Sequence, residues 1–266
     1  MSFSVIIPAR FASTRLPGKP LADIAGKSMI QRVWEQASLS DAERVIIATD
    51  HQGVADCAKG FGAEVCMTRA DHESGTDRLA EVVGKLAFAD SDIVVNVQGD
   101  EPLMPPAVIN QVAKNLQLAS QASCATASER ICDAERFFDA NAVKVVADAQ
   151  GLALYFSRAP MPWHRGLLND LSSDRQQSLA LVEKALAEQP AFKHIGIYAY
   201  RVALLNAFVT WPLCALESIE KLEQLRILHQ GHRIHVAEAC EAVPGGIDTQ
   251  ADLDKLRKQL ESAGSA

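Results

Sequence analysis

The residues best suited to binding or catalysis lie in the stretch IPARFASTRLPGKPL, where Arg10, Arg15 and Lys19 fall close together. Arginine presents a planar fork to phosphate oxygens, lysine adds a point charge, and backbone N–H groups can occupy the space between them. The stretch therefore predicts a polyphosphate site, with a solvated basic loop as the alternative. It contains neither the GxxxxGK[ST] phosphate loop nor the GxGxxG dinucleotide fingerprint.

Two carboxylates are candidate metal ligands. Asp100 directly follows an apolar run in the segment QGDEP, and Asp248 lies in GGIDT, where glycines allow close approach of the backbone. Mg²⁺ is typically held by one or two protein carboxylates together with substrate phosphates. The alternative for either aspartate alone is an N-cap or turn residue. For Asp248 this alternative is supported by TQAD, Thr249 to Asp252, which has the form of a capping box. As a pair, the two carboxylates predict a Mg²⁺ site.

A further contact region is HESGTDR, which precedes a segment of helical period. Ser74, Gly75 and Thr76 are possible close contacts to a flat ligand. A plain helix cap explains the same residues equally well.

The second half of the chain offers weaker candidates. His194 and Tyr198 share a predicted strand in HIGIYAYR, and they lie on one face if that strand is regular. A structural role is the alternative for His194. The segment LESIEKLEQLR predicts an amphipathic helix whose charges form a solvated surface, although Glu223 and Gln224 could point into a cleft.

The elements that must position these residues follow an alternating pattern. Short Val- and Ile-rich runs alternate with segments of helical period, which is typical of an α/β fold with a mainly parallel sheet covered by helices on both faces. Ligands of such sheets bind beyond the carboxyl ends of the strands. Four polar clusters fall at such ends and could converge on one cleft: the loop after the first strand, TDH at Thr49 to His51, QGDEP and GGIDT. The predicted helices are Met29–Ser38, Val54–Phe61, Asp77–Leu86 and Ala107–Leu118.

The pattern is looser after Pro106. Short β-like pieces between about residues 120 and 190 predict a smaller lobe within one domain that spans residues 1–266. Residues 164–177 show little apolar periodicity and predict a mobile loop or linker. A helix is expected at 218–229 and a last helix after Thr249.

Composition excludes several classes of protein. The net charge of −7 argues against nucleic-acid or anionic-membrane binding, which needs clustered Lys and Arg. No apolar run approaches the roughly 20 residues that span a bilayer. The six cysteines form no CxxC and no zinc-site pattern with histidine, so we expect buried free thiols in a reducing compartment and a cytoplasmic protein.

Seven motifs, taken in order, resemble the 3-deoxy-manno-octulosonate (Kdo) cytidylyltransferase family, the CMP-Kdo synthetases of lipopolysaccharide synthesis. They are IPARFASTRLPGKPL, SGTDR, VNVQGDEP, YFSRAPMPW, HIGIYAYR, LESIEKLEQLR and GIDTQADL. The resemblance implies a three-layer αβα, Rossmann-like nucleotidyltransferase core with a smaller dimerisation lobe. It also implies transfer of a cytidylyl group from CTP to Kdo, which yields CMP-Kdo and diphosphate.

The resemblance also implies roles for individual residues. Arg10, Arg15, Lys19 and Asp100 would be catalytic, and Asp100 and Asp248 would bind Mg²⁺. The implied CTP contacts are Ala9, Arg10, Ser13, Lys19, Ser74, Gly75, Thr76, Arg78 and Asp100. The implied Kdo contacts are Gln98, Arg158, His194, Tyr198, Glu223 and Gln224. Members of the family are typically homodimers.

Three other functions remain open from the sequence. The acceptor could be another acidic sugar, such as a sialic acid or an amino-substituted Kdo. The chain could instead be a nucleotide-binding regulatory module without chemistry. A nicotinamide oxidoreductase is a distant third, because the glycine fingerprint is missing.

Overall fold

The computed structural model describes residues 2–12, 16–72, 74–169 and 175–264. Its strands are β1 (Ser4–Ala9), β2 (Asp23–Ile24), β3 (Lys27–Ser28), β4 (Arg44–Thr49), β5 (Glu64–Met67), β6 (Ile93–Asn96), β7 (Cys124–Ile131), β8 (Lys144–Ala147), β9 (Ala153–Ser157), β10 (Ala191–Arg201) and β11 (Ile234–Glu238).

The helices complete the list of elements. They are α1 (Met29–Ser38), α2 (Gln52–Gly60), α3 (Gly75–Lys85), α4 (Pro106–Leu118), α5 (Ala134–Phe138), α6 (Arg165–Leu168), α7 (Arg175–Glu188), α8 (Val202–Phe208), α9 (Ala215–Glu220), α10 (Gln224–His229) and α11 (Gln250–Gly264), with a short 3-10 helix at Lys19–Leu21.

The chain divides into two compact units. The first contains Met1–Leu118, Ile197–Thr210 and Cys240–Ala266, and the second contains Ala119–Gly196 and Trp211–Ala239. The predicted lobe, residues 120–190, falls in the second unit. Whether the chain acts as the predicted single domain with a lobe stays a prediction.

The sheet of the first unit has the strand order β10–β6–β1–β4–β5. Strands β1, β4, β5 and β6 are parallel, and β10 pairs antiparallel with β6. Ile6 lies opposite Ile46 on one side and Asn96 on the other, and both isoleucines are fully buried. Such doubly covered strands explain the near-continuous Val and Ile runs. The predicted α/β class with a mainly parallel, Rossmann-like core is confirmed.

Local sequence accounts for the helices of this unit. Helix α1 has the predicted bounds, begins at the N-cap Ser28 and buries Met29, Ile30 and Val33. Helices α2, α3 and α4 lie within two residues of their predicted limits. Their apolar residues recur at helical spacing, so the burial pattern is visible in the sequence.

A separate apolar cluster joins distant parts of the first unit. Leu16, Ile24 and Met29 pack with Ile247, Leu253 and Leu256. The cluster therefore attaches helix α11 and the segment before it to the loop that follows β1. This packing decides where Asp248 lies.

The second unit has its own strand pairings. Strand β11 pairs parallel with β7, β7 lies beside β10, and β8 pairs antiparallel with β10 and β9. The expectation of a loop or linker at residues 164–177 is wrong for the described part of that range, because α6 lies there and α7 begins at Arg175. Residues 170–174 lie outside the described residues, so the expectation stays a prediction for them. Leu168, Val182 and Ala185 are buried against Phe137, so long-range packing orders these helices despite their weak periodicity.

The expectation of a single helix at 218–229 is also wrong. Helix α9 ends at Glu220, Lys221 adopts the left-handed conformation with φ 53° and ψ 48°, and α10 begins at Gln224. The buried carboxylate of Glu217 forms a bidentate ion pair with Arg226 at 2.6 and 2.7 Å across this break. Glu217 is thus an exception to the solvated face that the sequence predicts for this segment.

Two whole-chain expectations can be compared with the structure. All six cysteines are free thiols, but Cys132 and Cys240 are exposed, so the expectation of burial is wrong for these two. Within the described ranges, no helix combines the length and apolar character that crossing a bilayer requires.

Candidate active site

The cationic loop follows β1, whose last residue is the buried Ala9. Arg10 is exposed to solvent. Gly18 adopts φ 65°, a left-handed conformation that favours glycine, and its carbonyl accepts a hydrogen bond of 2.8 Å from the N–H of Leu21. This turn begins the 3-10 helix that carries Lys19. Ser13 and Arg15 lie outside the described residues, so their roles stay predictions.

Lys19 connects the two predicted metal ligands. Its ammonium nitrogen lies 2.6 Å from Oδ2 of Asp100 and 3.2 Å from Oδ1 of Asp248. The lysine side chain is only 12% exposed, whereas the carboxylates are 34% and 48% exposed. The two acidic groups therefore converge on one cationic point and remain accessible to a ligand from solvent.

Close backbone contacts bring the two carboxylates together. A Cβ atom at Gly99 would lie 2.6 Å from the carbonyl oxygen of Pro8, so the turn before Asp100 approaches β1 as only glycine allows. The N–H of Ile247 donates a 2.8 Å hydrogen bond to the carbonyl of Asp100. Asp248 thereby reaches the end of β6.

The capping box predicted after Asp248 is present. The hydroxyl of Thr249 accepts from the N–H of Asp252 at 3.2 Å, and the Asp252 carboxylate accepts from the N–H of Thr249 at 2.8 Å. Thr249 and Asp252 thus cap α11, while the Asp248 carboxylate is directed to Lys19. The two interpretations of this segment apply to different residues.

The donor set fits a Mg²⁺ ion. Among the residues that the structure describes, no group of three or more His, Cys, Asp or Glu side chains is placed to hold a metal. Mg²⁺ usually keeps water and substrate phosphate among its ligands, so two convergent carboxylates beside a cationic loop suffice. Asp100 and Asp248 already converge on the positive charge of Lys19.

The start of α3 forms a capping box. The hydroxyl of Ser74 accepts from the N–H of Asp77 at 3.1 Å, and the Asp77 carboxylate accepts from the N–H of Ser74 at 3.1 Å. Thr76 is buried, and Gly75 approaches Pro8 of β1. The helix-cap alternative is therefore confirmed for Ser74, and a contact of this turn with CTP stays a prediction.

Arg78 is engaged inside the protein. Its guanidinium donates to the Asp50 carboxylate at 2.9 Å and to the hydroxyl of Thr68. Asp50 also accepts a 3.2 Å hydrogen bond from the N–H of Phe11. One buried ion pair thus connects the cationic loop to the first turn of α3.

Tyr198 lies in β10, and Gln98 follows the neighbouring strand β6 of the first unit. Tyr198 lies opposite Asn96 in the β10–β6 pair, and Gln98 follows two residues later. The ring of Tyr198 stacks on Tyr200 with centroids 5.5 Å apart. The Gln98 carbonyl accepts from the N–H of Glu101 at 3.2 Å, which forms the turn that holds Asp100.

His194 has a packed environment within the second unit. Its Nε2 shares a 3.0 Å hydrogen bond with the Thr126 hydroxyl, and the ring meets Phe156 edge to face. Burial, reinforced by the charge of Lys193, lowers the pKa of His194 to about 3. The imidazole is therefore neutral near pH 7 and acts through hydrogen bonds rather than as a cation.

Arg158 anchors the end of β9. Its Nε donates to the Glu220 carbonyl at 2.7 Å, its Nη1 donates to the Ala140 carbonyl at 2.9 Å, and its N–H donates to the Glu220 carboxylate at 2.9 Å. Glu223 and Gln224 stand at the start of α10 because of the break at Lys221. Contact of these residues with a sugar acid stays a prediction.

Comparisons with known proteins decide the family. The chain matches the cytidylyltransferase family over residues 4–234. The 3-deoxy-manno-octulosonate cytidylyltransferases of Saccharophagus degradans and Cellvibrio japonicus are 61% and 60% identical to it, over 99% and 98% of this chain and 100% and 99% of theirs. The chain belongs to this cytidylyltransferase family.

Two solved structures of cytidylyltransferases are similar to the structure of this chain. A CMP:2-keto-3-deoxy-manno-octonic acid synthetase complexed with CTP has a TM-score of 0.86 and 38% identity, with 99% of this chain and 100% of that chain covered. A cytidylyltransferase from Leptospira borgpetersenii has a TM-score of 0.57 at 14% identity and covers 100% of this chain and 96% of that one, which shows the fold alone.

In this cytidylyltransferase, the sequence placed Asp50 in a polar cluster at a strand end but assigned it no role in the site. Asp50 directly follows β4 in the polar cluster TDH, so its position beyond a strand was a usable signal. A single aspartate after a strand is common, and only the contacts with Phe11 and Arg78 distinguish it.

Proposed function

We propose that this chain transfers the cytidylyl group of CTP to Kdo and releases CMP-Kdo and diphosphate, a step of lipopolysaccharide synthesis. Membership of the family supports the reaction. The observation that carries it is the Lys19 ammonium between the carboxylates of Asp100 and Asp248, beside the cationic loop. Such a site combines phosphate-binding charge with ligands for a hard cation.

The residues of the cationic loop bind the triphosphate in this proposal. Arg10, Arg15 and Lys19 neutralise the charge that develops on the departing diphosphate, which lowers the barrier to in-line attack at the α-phosphorus. Ala9, Ser13 and the turn Ser74–Thr76 contact the nucleotide. Arg78 contributes through Asp50.

Asp100 and Asp248 would hold Mg²⁺. When bound, the ion would neutralise phosphate oxygens and help to activate the attacking hydroxyl of the sugar acid. The chain itself supplies the fixed carboxylates and, through Lys19, the charge that keeps them in place before the substrate arrives. The residues that the resemblance assigns to Kdo keep that role as a proposal.

The proposed reaction is tested by diphosphate release with Mg²⁺, Kdo and each of CTP, UTP, ATP and GTP in turn. We expect release only with CTP, and only when Kdo and the metal are both present. Release with a sialic acid or an amino-substituted Kdo, but not with Kdo, would move the acceptor to another acidic sugar. Tight CTP binding without release with any sugar would indicate a regulatory module instead.

The metal assignment is tested by Asp100→Asn. Turnover should fall by about 100-fold or more at saturating Mg²⁺, because one of the two proposed carboxylate ligands is lost. The matched control is Asp90→Asn, an exposed aspartate of the same unit whose carboxylate accepts from Asn206 at 2.9 Å. Near-normal turnover of Asp100→Asn would rule out this assignment.

We also propose that the chain acts in the cytoplasm as a homodimer through its second unit. Leu213, Leu216 and Ile219 are 61%, 43% and 77% exposed there. Large apolar side chains grouped along one short segment are typical of protein interfaces. The dimerisation lobe that the resemblance implies, about residues 120–190, falls in the same unit, although it does not include these three residues.

A further inference from the structure

The Asp50 carboxylate links separate pieces of the proposed CTP site. It lies just beyond β4, and its side chain is only 10% exposed. Oδ1 accepts a hydrogen bond of 3.2 Å from the N–H of Phe11, the residue after Arg10, and Oδ2 accepts one of 2.9 Å from Nη2 of Arg78. One carboxylate thus joins the cationic loop to the first turn of α3.

Both terminal nitrogens of Arg78 are used within the protein. Nη1 donates to the hydroxyl of Thr68 and to the carbonyl of Arg69 at 3.4 Å, while Nη2 donates to Asp50. The Arg78 side chain is 4% exposed. A guanidinium this buried depends on its counter-charge, and its hydrogen bonds are directed to the ends of β4 and β5 rather than to solvent.

The cationic loop has a second anchor next to this ion pair. The ring of Phe11 stacks on His51, with centroids 3.8 Å apart and planes 10° apart. The backbone and the side chain of Phe11 are therefore both attached to residues that immediately follow β4. Arg10 is the adjacent residue, so its place in the loop depends on these contacts.

We propose that Asp50 and Arg78 are a positioning pair, which presets the cationic loop and the Ser74–Arg78 turn for CTP without touching the nucleotide. The inference rests on the proposed function and revises the direct CTP contact that the resemblance implies for Arg78. A preset loop avoids the cost of ordering the chain when the nucleotide binds. Loss of the pair therefore weakens CTP binding more than it slows the chemical step.

The decisive variant is Asp50→Asn, which keeps the shape of the side chain and removes the counter-charge of Arg78. We expect the Kd and KM for CTP to rise about tenfold, with the KM for Kdo within about twofold of wild type, because a charge-assisted hydrogen bond is lost. If Arg78 bound phosphate directly, removing its competing carboxylate would leave CTP binding unchanged or make it tighter. That result would overturn the inference.

A second variant keeps the test decisive if Asp50→Asn does not fold. Arg78→Lys retains the charge and loses the fork, and we expect a smaller rise in the Kd for CTP. An unchanged Kd for CTP in Arg78→Lys would overturn the inference. If Asp50→Asn folds, the double variant should bind CTP no more weakly than Asp50→Asn, since a pair that acts as one unit is not additive. Additive losses would overturn the pairing.

The matched control is Glu64→Gln, which breaks the Arg44–Glu64 ion pair of 2.6 Å in the same unit. We expect its CTP affinity to equal that of wild type. An equal loss of CTP affinity in Glu64→Gln and Asp50→Asn would overturn the specific role of the Asp50–Arg78 pair. CTP binding is measured by calorimetry without Kdo, and unfolding is followed by circular dichroism. Wild-type protein that binds CTP but releases no diphosphate would contradict the proposed reaction, not the positioning pair.

Discussion

At the scale of single residues, the candidate site depends on a close approach at Gly99. A Cβ atom there would lie 2.6 Å from the backbone oxygen of Pro8, which cannot rotate away. We expect Gly99→Ala to displace the turn that carries Asp100, to lower turnover at least about tenfold and to destabilise the fold by about 1–3 kcal/mol. Diphosphate release and thermal unfolding measure both effects.

The control for this variant is Gly84→Ala. Gly84 lies near the end of α3, is exposed, and has no atom within 4 Å of an added Cβ. Alanine there should stabilise the helix by about 0.5–1 kcal/mol and leave turnover unchanged. Wild-type turnover and stability in Gly99→Ala would contradict the role of the close approach.

At the scale of elements, helix α3 holds the segment that precedes it through Glu81. Its carboxylate accepts from the N–H of Arg69 at 3.0 Å and contacts Lys85 at 2.7 Å and His72. Burial alone would raise the pKa of Glu81, but the hydrogen bonds from Lys85, His72 and the Arg69 backbone outweigh it and lower the pKa to about 2. The ionised form is therefore favoured in the folded chain.

The sign of the pH dependence follows from this lowered pKa. Glu81 contributes its stabilisation above its ordinary pKa of 4.5 and loses it as the pH falls towards about 2. Glu81→Gln should cost up to about 3 kcal/mol at pH 7, and its difference from wild type should shrink between about pH 5 and pH 2. Urea unfolding at several pH values measures this difference in the free energy of unfolding. A difference that stays the same at every pH would contradict the prediction.

The junction between α9 and α10 allows a second test at this scale. Lys221 is exposed and holds φ 53°, a conformation that costs a non-glycine residue free energy. Lys221→Gly should raise the free energy of unfolding by about 0.5 kcal/mol, because the relief of strain exceeds the added entropy of the unfolded chain. Lys114→Gly, at an exposed position inside α4, should instead lower it by about 1 kcal/mol in the same thermal scan.

At the scale of the whole molecule, the exposed apolar residues of the second unit test the oligomeric state. We expect wild-type protein to sediment as a dimer and Ile219→Asp to sediment as a monomer, because a charge would be buried at the proposed interface. Leu39→Asp changes a residue of the first unit that is 71% exposed and should remain dimeric. A monomeric wild type, or a dimeric Ile219→Asp, would contradict the proposed interface.

The sequence by itself determined the α/β class, the limits of α1 and the family. The helical spacing of apolar residues and the presence of capping residues decide where a helix forms, and both can be recognised in a short segment of sequence. The seven ordered motifs also predicted residues of the candidate site, because the resemblance they carry assigns Lys19, Asp100 and Asp248 to one site. They do not show how these residues come into contact.

Tertiary structure alone decided the contacts between these residues. Lys19 reaches carboxylates 81 and 229 positions away, and the packing of Leu16 on Ile247 makes that contact possible. The break at Lys221 has a weak local signal, because lysine rarely adopts the left-handed conformation. The formation of α7 also has a weak local signal, because the apolar periodicity of its sequence is weak. Such features arise from energies shared between distant segments, and no local pattern of residue types records them.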